Sequence, residues 1–126
     1  MVTKQFEGSP ADADLTRADS LAREIFSDVA NKWALLIIEA LGERTLRFSE
    51  LRDGVEGISH KMLTQNLRML ERNGLVERDV HPTVPPRVEY TLTEPGRVLW
   101  EMTNQMCDWT HRYLGHIEES RRRFDA

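Results

Sequence analysis

A mainly α-helical (α+β) single domain is predicted by three observations. Apolar residues recur at helical spacing through most of the 126 residues. After Gly74 the period switches to two for a pair of short segments, the pattern of a hairpin. Hydrophobic content of 40% and charged content of 30% are those of an ordinary globular chain long enough to bury one core. No internal repeat or low-complexity tract interrupts it.

The elements follow in chain order. Residues 1–13 mix Gly8, Pro10 and alternating acids without periodicity and are expected to be a flexible N-terminal tail. Residues 14–126 are expected to form one unit. Leu15, Ala18, Leu21, Ala22, Ile25 and Val29 mark an amphipathic helix. Asn31 caps a second helix, Lys32 to Leu41, with Gly42 as its stop. Trp33, Leu36, Ile37, Ala40 and Leu41 make that helix apolar over most of its surface, as expected at the centre of a core. Leu46-Arg47-Phe48 reads as a short extended piece, with Ser49 as cap of a brief helix through Asp53 and a turn punctuated by Gly54 and Gly57.

The stretch from Ser59 to Asn73 is a helix with two different faces. Ser59 can accept from the free N–H groups of the first turn, and Gly74 supplies the left-handed residue that ends helices. Leu63, Leu67 and Leu70 mark the buried side. Ser59, His60, Lys61, Thr64, Gln65, Arg68 and Arg72 form the other, with the donors and acceptors that read base edges and phosphates. The same pattern also describes a solvated face. A brief helix, a glycine turn and a longer helix with one polar face is the helix-turn-helix layout, here over about 49–73.

Val76, Arg78 and Val80 fall on one face of a strand, and Val88, Tyr90 and Leu92 on a face of its partner. His81-Pro82-Thr83-Val84-Pro85-Pro86 between them must be loop, because prolines cannot donate to a ladder. A two-stranded hairpin at about 75–92, directly after a helix-turn-helix, is a wing. Thr93 then caps a long helix, about 93–122, with Pro95 in its first turn. Leu99, Met102, Met106, Trp109 and Tyr113 are spaced as a heptad seam, and Trp100, Cys107, Leu114 and Ile117 form a second apolar strip. One small domain uses one strip, so the other wants a partner. With Leu21 and Ile25 of the first helix, the seam predicts a homodimer with a helical interface.

Charge and cysteine usage bound the partners. The net charge of −4 argues at face value against nucleic acid, but residues 44–97 hold 9 Lys/Arg against 8 Asp/Glu while residues 1–43 hold 4 against 8. Phosphate binding depends on local charge, so weak, salt-sensitive monomer binding is expected, doubled in a dimer. The single Cys107 fits a reducing cytoplasm. No apolar run spans a bilayer and the N-terminus lacks a signal-peptide core, so no membrane association is expected.

The residues Lys32-Trp33, Arg47-Phe48-Ser49-Glu50-Leu51, Gly57 to Thr64, Leu70 to Arg78, and Pro82 to Thr93 with Gly96 together resemble the HxlR-type family of bacterial winged-helix transcription regulators. The match spans about Lys32 to Gly96, and its combined spacing is specific. The resemblance implies a dimeric DNA-binding repressor or activator whose terminal helices build the dimer. Two departures stand out. Asp19 and Ser20 lie where redox-sensing members carry a cysteine, which argues against thiol sensing of that kind. Pro95 stands where a leucine is common.

On this reading Ser59, Lys61, Thr64 and Gln65 meet base edges or flanking phosphates and Arg68 meets phosphate, with His60 at the DNA or facing solvent. Arg87, placed at the wing tip after two prolines, suits the minor groove or its phosphates. Lys32 and Arg47 are phosphate contacts or local salt-bridge partners. Catalysis has no support: no acid, base and nucleophile converge, and no cofactor or metal is expected. Cys107 and His111, one turn apart, read as an interface cysteine with a chance neighbour. Trp33, Trp100 and Trp109 either line an effector pocket or belong to the core, and the sequence names no small-molecule effector. The expected function is a homodimer that binds double-stranded DNA at an inverted repeat, the alternative being a winged-helix module that docks a protein.

Overall fold

The computed structural model describes residues 10–126. Its elements are α1 (Pro10–Val29), α2 (Lys32–Leu41), β1 (Thr45–Arg47), α3 (Phe48–Gly54), α4 (His60–Arg72), β2 (Val76–His81), β3 (Arg87–Leu92) and α5 (Glu94–Asp125). Helix α1 therefore begins at Pro10, and residues 10–13 belong to it rather than to a loose tail. Proline costs nothing at a helix start, because the N–H it lacks would have no partner there. The rest of the expected tail lies outside the described residues.

The core forms where α2 meets the helix-turn-helix. Ala34, Ile37, Ile38 and Leu41 of α2 are buried against Leu51, Val55, Leu63, Leu67 and Leu70. Asn31 holds the start of α2 as expected, its Oδ1 accepting from Ala34 N–H at 2.8 Å. Gly42 ends it with φ +49°, and the Trp100 indole lies 3.3 Å from where a Cβ would project. A side chain at Gly42 would thus strain the backbone and crowd the Trp100 ring of α5.

Two boundaries differ from expectation around α3. The cap is Arg47, not Ser49, because Glu50 reaches back and its Oε1 accepts from the Arg47 N–H at 2.9 Å. A carboxylate at this position satisfies a backbone donor of the first turn and opposes the positive helix end. The extended piece before α3 is a third strand. It pairs antiparallel with β3 through Thr45↔Thr91, Leu46↔Tyr90 and Arg47↔Glu89. The sheet order is β1-β3-β2, so the two-stranded wing grows out of a three-stranded sheet.

Strand β2 pairs with β3 from Val76↔Leu92 to His81↔Arg87. Val76 and Leu92 are buried, whereas Val80 is exposed, so the far end of the hairpin projects beyond the core. The base is locked from the other side. Thr93 N–H donates to Leu75 O at 3.0 Å, and Thr93 Oγ1 donates to Gly74 O at 2.6 Å. Gly96 follows in the first turn of α5, so close to Leu75 that a Cβ would sit 2.1 Å from its carbonyl oxygen.

Helix α5 has 32 residues, a span of about 48 Å at 1.5 Å per residue. Gly96 is buried, and Leu99 and Trp100 pack on the core, where Trp100 Nε1 also donates to Glu39 at 3.1 Å. Farther along, Met102, Met106, Trp109 and Tyr113 are exposed, with Trp109 and Tyr113 in ring contact at 5.7 Å. Of the residues expected at a dimer interface, Ile25 and Leu99 pack on the protomer's own core, while Leu21, Met102, Met106, Trp109 and Tyr113 are open.

Candidate nucleic-acid interface

Helix α4 has the two faces its sequence predicts. Leu63, Asn66, Leu67 and Leu70 are buried, and His60, Lys61, Gln65 and Arg68 are exposed. Thr64 is half-buried at the boundary. Ser59 caps the helix, its Oγ accepting from Met62 N–H at 3.1 Å, so its hydroxyl acceptor serves the fold before any ligand. Asn66 is buried on the inner side, with Nδ2 donating to Met62 O at 2.8 Å. A buried amide without such a partner would cost about 1–3 kcal/mol.

Phe48 is the pivot on which the other elements join α4. The His60 ring lies 4.8 Å from it, tilted by 50°. Two clefts open on either side. One, of about 420 Å³, is lined by Phe48, Thr64, Leu67, Arg68, Glu71, Arg78 and Tyr90, between α4 and the sheet. The other, of about 570 Å³, runs between residues 47–49 at the start of α3 and residues 83–88 of the wing. Arg47, Arg68, Arg78 and Arg87 thus border neighbouring clefts, although the sequence separates them by up to forty residues.

Arg87 does not hold the wing tip. Val84 does, fully exposed, while Arg87 is half-buried just behind it, at the outer end of the ladder where β3 begins opposite His81. The reason is strand alternation: Arg87 shares a face with Glu89, and the register sets Arg47 directly opposite Glu89. His81, opposite Arg87, brings Nε2 to 2.6 Å from Glu89 Oε1. Arg87 Nε is buried without a hydrogen-bond partner among the described residues. Its guanidinium therefore has donor capacity left over beside a cleft.

Lys32 stands apart. It is exposed at the start of α2 with Nζ 4.8 Å over the Trp33 ring, and it lines neither cleft. Arg78 is the residue that sequence reading missed as a site residue. Its place between Val76 and Val80 assigned it to the apolar face of a strand, and a cation on such a face was the available signal. No group of His, Cys, Asp and Glu that would hold a metal occurs among the described residues, and none of their helices is long and apolar enough to cross a membrane.

A helix-turn-helix whose second helix shows a polar face beside an arginine-bordered wing defines a winged-helix transcription regulator. Comparison with known proteins narrows the class. The chain belongs to the HxlR-like helix-turn-helix family, whose model matches residues 28–118. It is 44% identical over 96 residues to the HTH-type transcriptional regulator YtfH of Escherichia coli, covering 76% of each chain. It is 42% identical over 94 residues to an HTH-type transcriptional regulator of Methanothermobacter thermautotrophicus, covering 75% of this chain and 72% of that one. The structure of the transcriptional regulator ytfH from Salmonella typhimurium superposes with a TM-score of 0.69 at 39% identity, over 80% of this chain and 90% of the other. The family and these relatives are transcription regulators, not enzymes.

Proposed function

We propose that the protein acts as a homodimer on an inverted-repeat operator. Each protomer sets the N-terminal half of α4 into a major groove and lays the outer part of its wing along the adjacent backbone and minor groove. The observation that carries this reading is the convergence of Arg47, Arg68, Arg78 and Arg87 on two clefts that share Phe48, beside the exposed Lys61 and Gln65. Four guanidiniums bordering one surface form a phosphate-tracking edge, and the α4 side chains between them are the ones able to report base identity.

The exposed Met102, Met106, Trp109 and Tyr113 of α5 support the dimer, as does the exposed Leu21 of α1. An apolar helix face open to water is a normal feature only where a partner covers it. Two protomers related by a twofold axis then present two α4 helices about one DNA turn apart. Such a protein works in the cytoplasm, on double-stranded DNA. The test is a gel shift with DNA upstream of its own gene against excess competitor, repeated across salt concentrations. A specific complex whose affinity falls steeply with salt supports the reading. Binding no tighter than to competitor DNA overturns it in favour of a protein-docking module.

A further inference from the structure

One hydrogen bond joins the end of the DNA-reading helix to the end of a helix assigned to the dimer. Asp28 lies in the last turn of α1, and its Oδ2 accepts from Asn73 Nδ2 at 3.2 Å. Asn73 is the residue that terminates α4, its own N–H donating to Met69 O at 3.1 Å before Gly74 turns the chain at φ +72°. On the other side, Asp28 O accepts from Asn31 Nδ2 at 2.8 Å, and Asn31 Oδ1 caps α2. The ends of α1 and α4 and the start of α2 thus meet in one polar cluster. Asp28 and Asn73 are both half-buried, beside the buried Val29, Leu70 and Leu75. A carboxylate accepting an amide proton in such a place is a directional, charge-assisted bond.

The distances give this bond leverage. Helix α4 has 13 residues, so it is about 20 Å long. A tilt of about 10° around its C-terminal anchor moves its N-terminal end by about 3 Å, close to the roughly 3.4 Å between successive base pairs. Asn73 sits at the anchored end, whereas Ser59 and Lys61 sit at the opposite end, which such a tilt would displace most, with Gln65 midway.

We propose that Asp28 and Asn73 are positioning residues that fix the angle of α4 against α1, and so set which half-site spacing the dimer accepts. The inference rests on the dimeric reading above. Neither residue needs to touch DNA for this role.

The test measures binding of the full chain to paired half-sites whose spacer varies one base pair at a time. The wild type should favour one spacer over its neighbours by about tenfold, the ratio that about 1.4 kcal/mol of misfit produces. Asn73→Ala should flatten that preference to about threefold or less while leaving affinity for the best spacer within about threefold. Asn73→Asp sets two carboxylates against each other and should flatten it too. Adding Asp28→Asn to Asn73→Asp reverses the bond, the new amide on α1 donating to the new carboxylate, and should restore the preference even if Asn73→Ala fails to fold. Wild-type selectivity in all variants, or a loss equal on every spacer that the swapped pair does not rescue, overturns the positioning role. A wild type that is monomeric or indifferent to spacing overturns the dimeric reading, a distinguishable result.

Discussion

Helices α4 and α5 are both two-faced, and they differ in where the second face finds its partner. In α4, Leu63, Leu67 and Leu70 are buried within the protomer and the polar side chains point outward, where water satisfies them. In α5, Gly96, Leu99 and Trp100 seat the first turns on the core, and Met102, Met106, Trp109 and Tyr113 stand exposed beyond them. A polar face loses little in solvent, so α4 alone never demands a ligand. An apolar face left in water forgoes about 25 cal/mol for each Å² that a partner would cover. What gathers around α4 therefore points to DNA, while α5 by itself points to a second protomer.

The sharpest break of this contrast is Trp109→Glu. A charge at the centre of a helical interface is repeated by symmetry, and a central aromatic contributes about 2–4 kcal/mol, so dimerisation should weaken by about a hundredfold or more. Sedimentation should show monomers with the thermal transition of the domain retained, and operator binding should collapse with the dimer. A variant that stays dimeric means the α5 seam is not the interface.

Next in size is Gly96→Ala, which touches the joint between wing and α5. The new methyl would meet the Leu75 carbonyl at 2.1 Å, so α5 or the wing base has to shift. Overpacking of this kind costs about 1–3 kcal/mol, and the upper part of that range is expected because backbone yields less than side chains. Chemical denaturation reads it directly. An unchanged midpoint would show that the close approach is not maintained in solution.

Arg68→Ala and Arg78→Ala test the other side of the comparison. Each should weaken binding to all sequences alike and lower the salt-dependence slope by about one. If the two arginines hold different phosphates their effects add, and if they hold one phosphate the double variant loses less than the sum. Gln65→Ala should instead change which bases are preferred, as read by competition among operator variants. The smallest effect belongs to Ser59→Ala, which removes a helix cap worth about 1 kcal/mol. A loss of DNA affinity beyond that stability change would show that the Ser59 hydroxyl also donates to DNA.

The helices were legible because periodicity and caps are local: Asn31, Ser59 and Thr93 cap as the sequence predicts. The misread boundary at α3 came from two residues competing for one role. Ser49 is a good cap by type, but Glu50 satisfies the Arg47 N–H and starts the helix earlier. Strand β1 was legible only as an extended piece, since three residues carry no period and its partner β3 lies more than forty positions away. Arg87 was recognisable as a wing residue, yet its half-buried place behind the tip depended on the register with His81.

What this sequence determined alone was the helices and the wing hairpin, the caps at Asn31, Ser59 and Thr93 and the chemical character of each face, because these follow from side chains within one or two turns of one another. Family membership travels with that pattern. The tertiary structure decided which polar residues become neighbours: Arg47, Arg68, Arg78 and Arg87 around Phe48, and Asp28 beside Asn73. No local rule contains those pairings, since they exist only once a shared core holds distant segments in register.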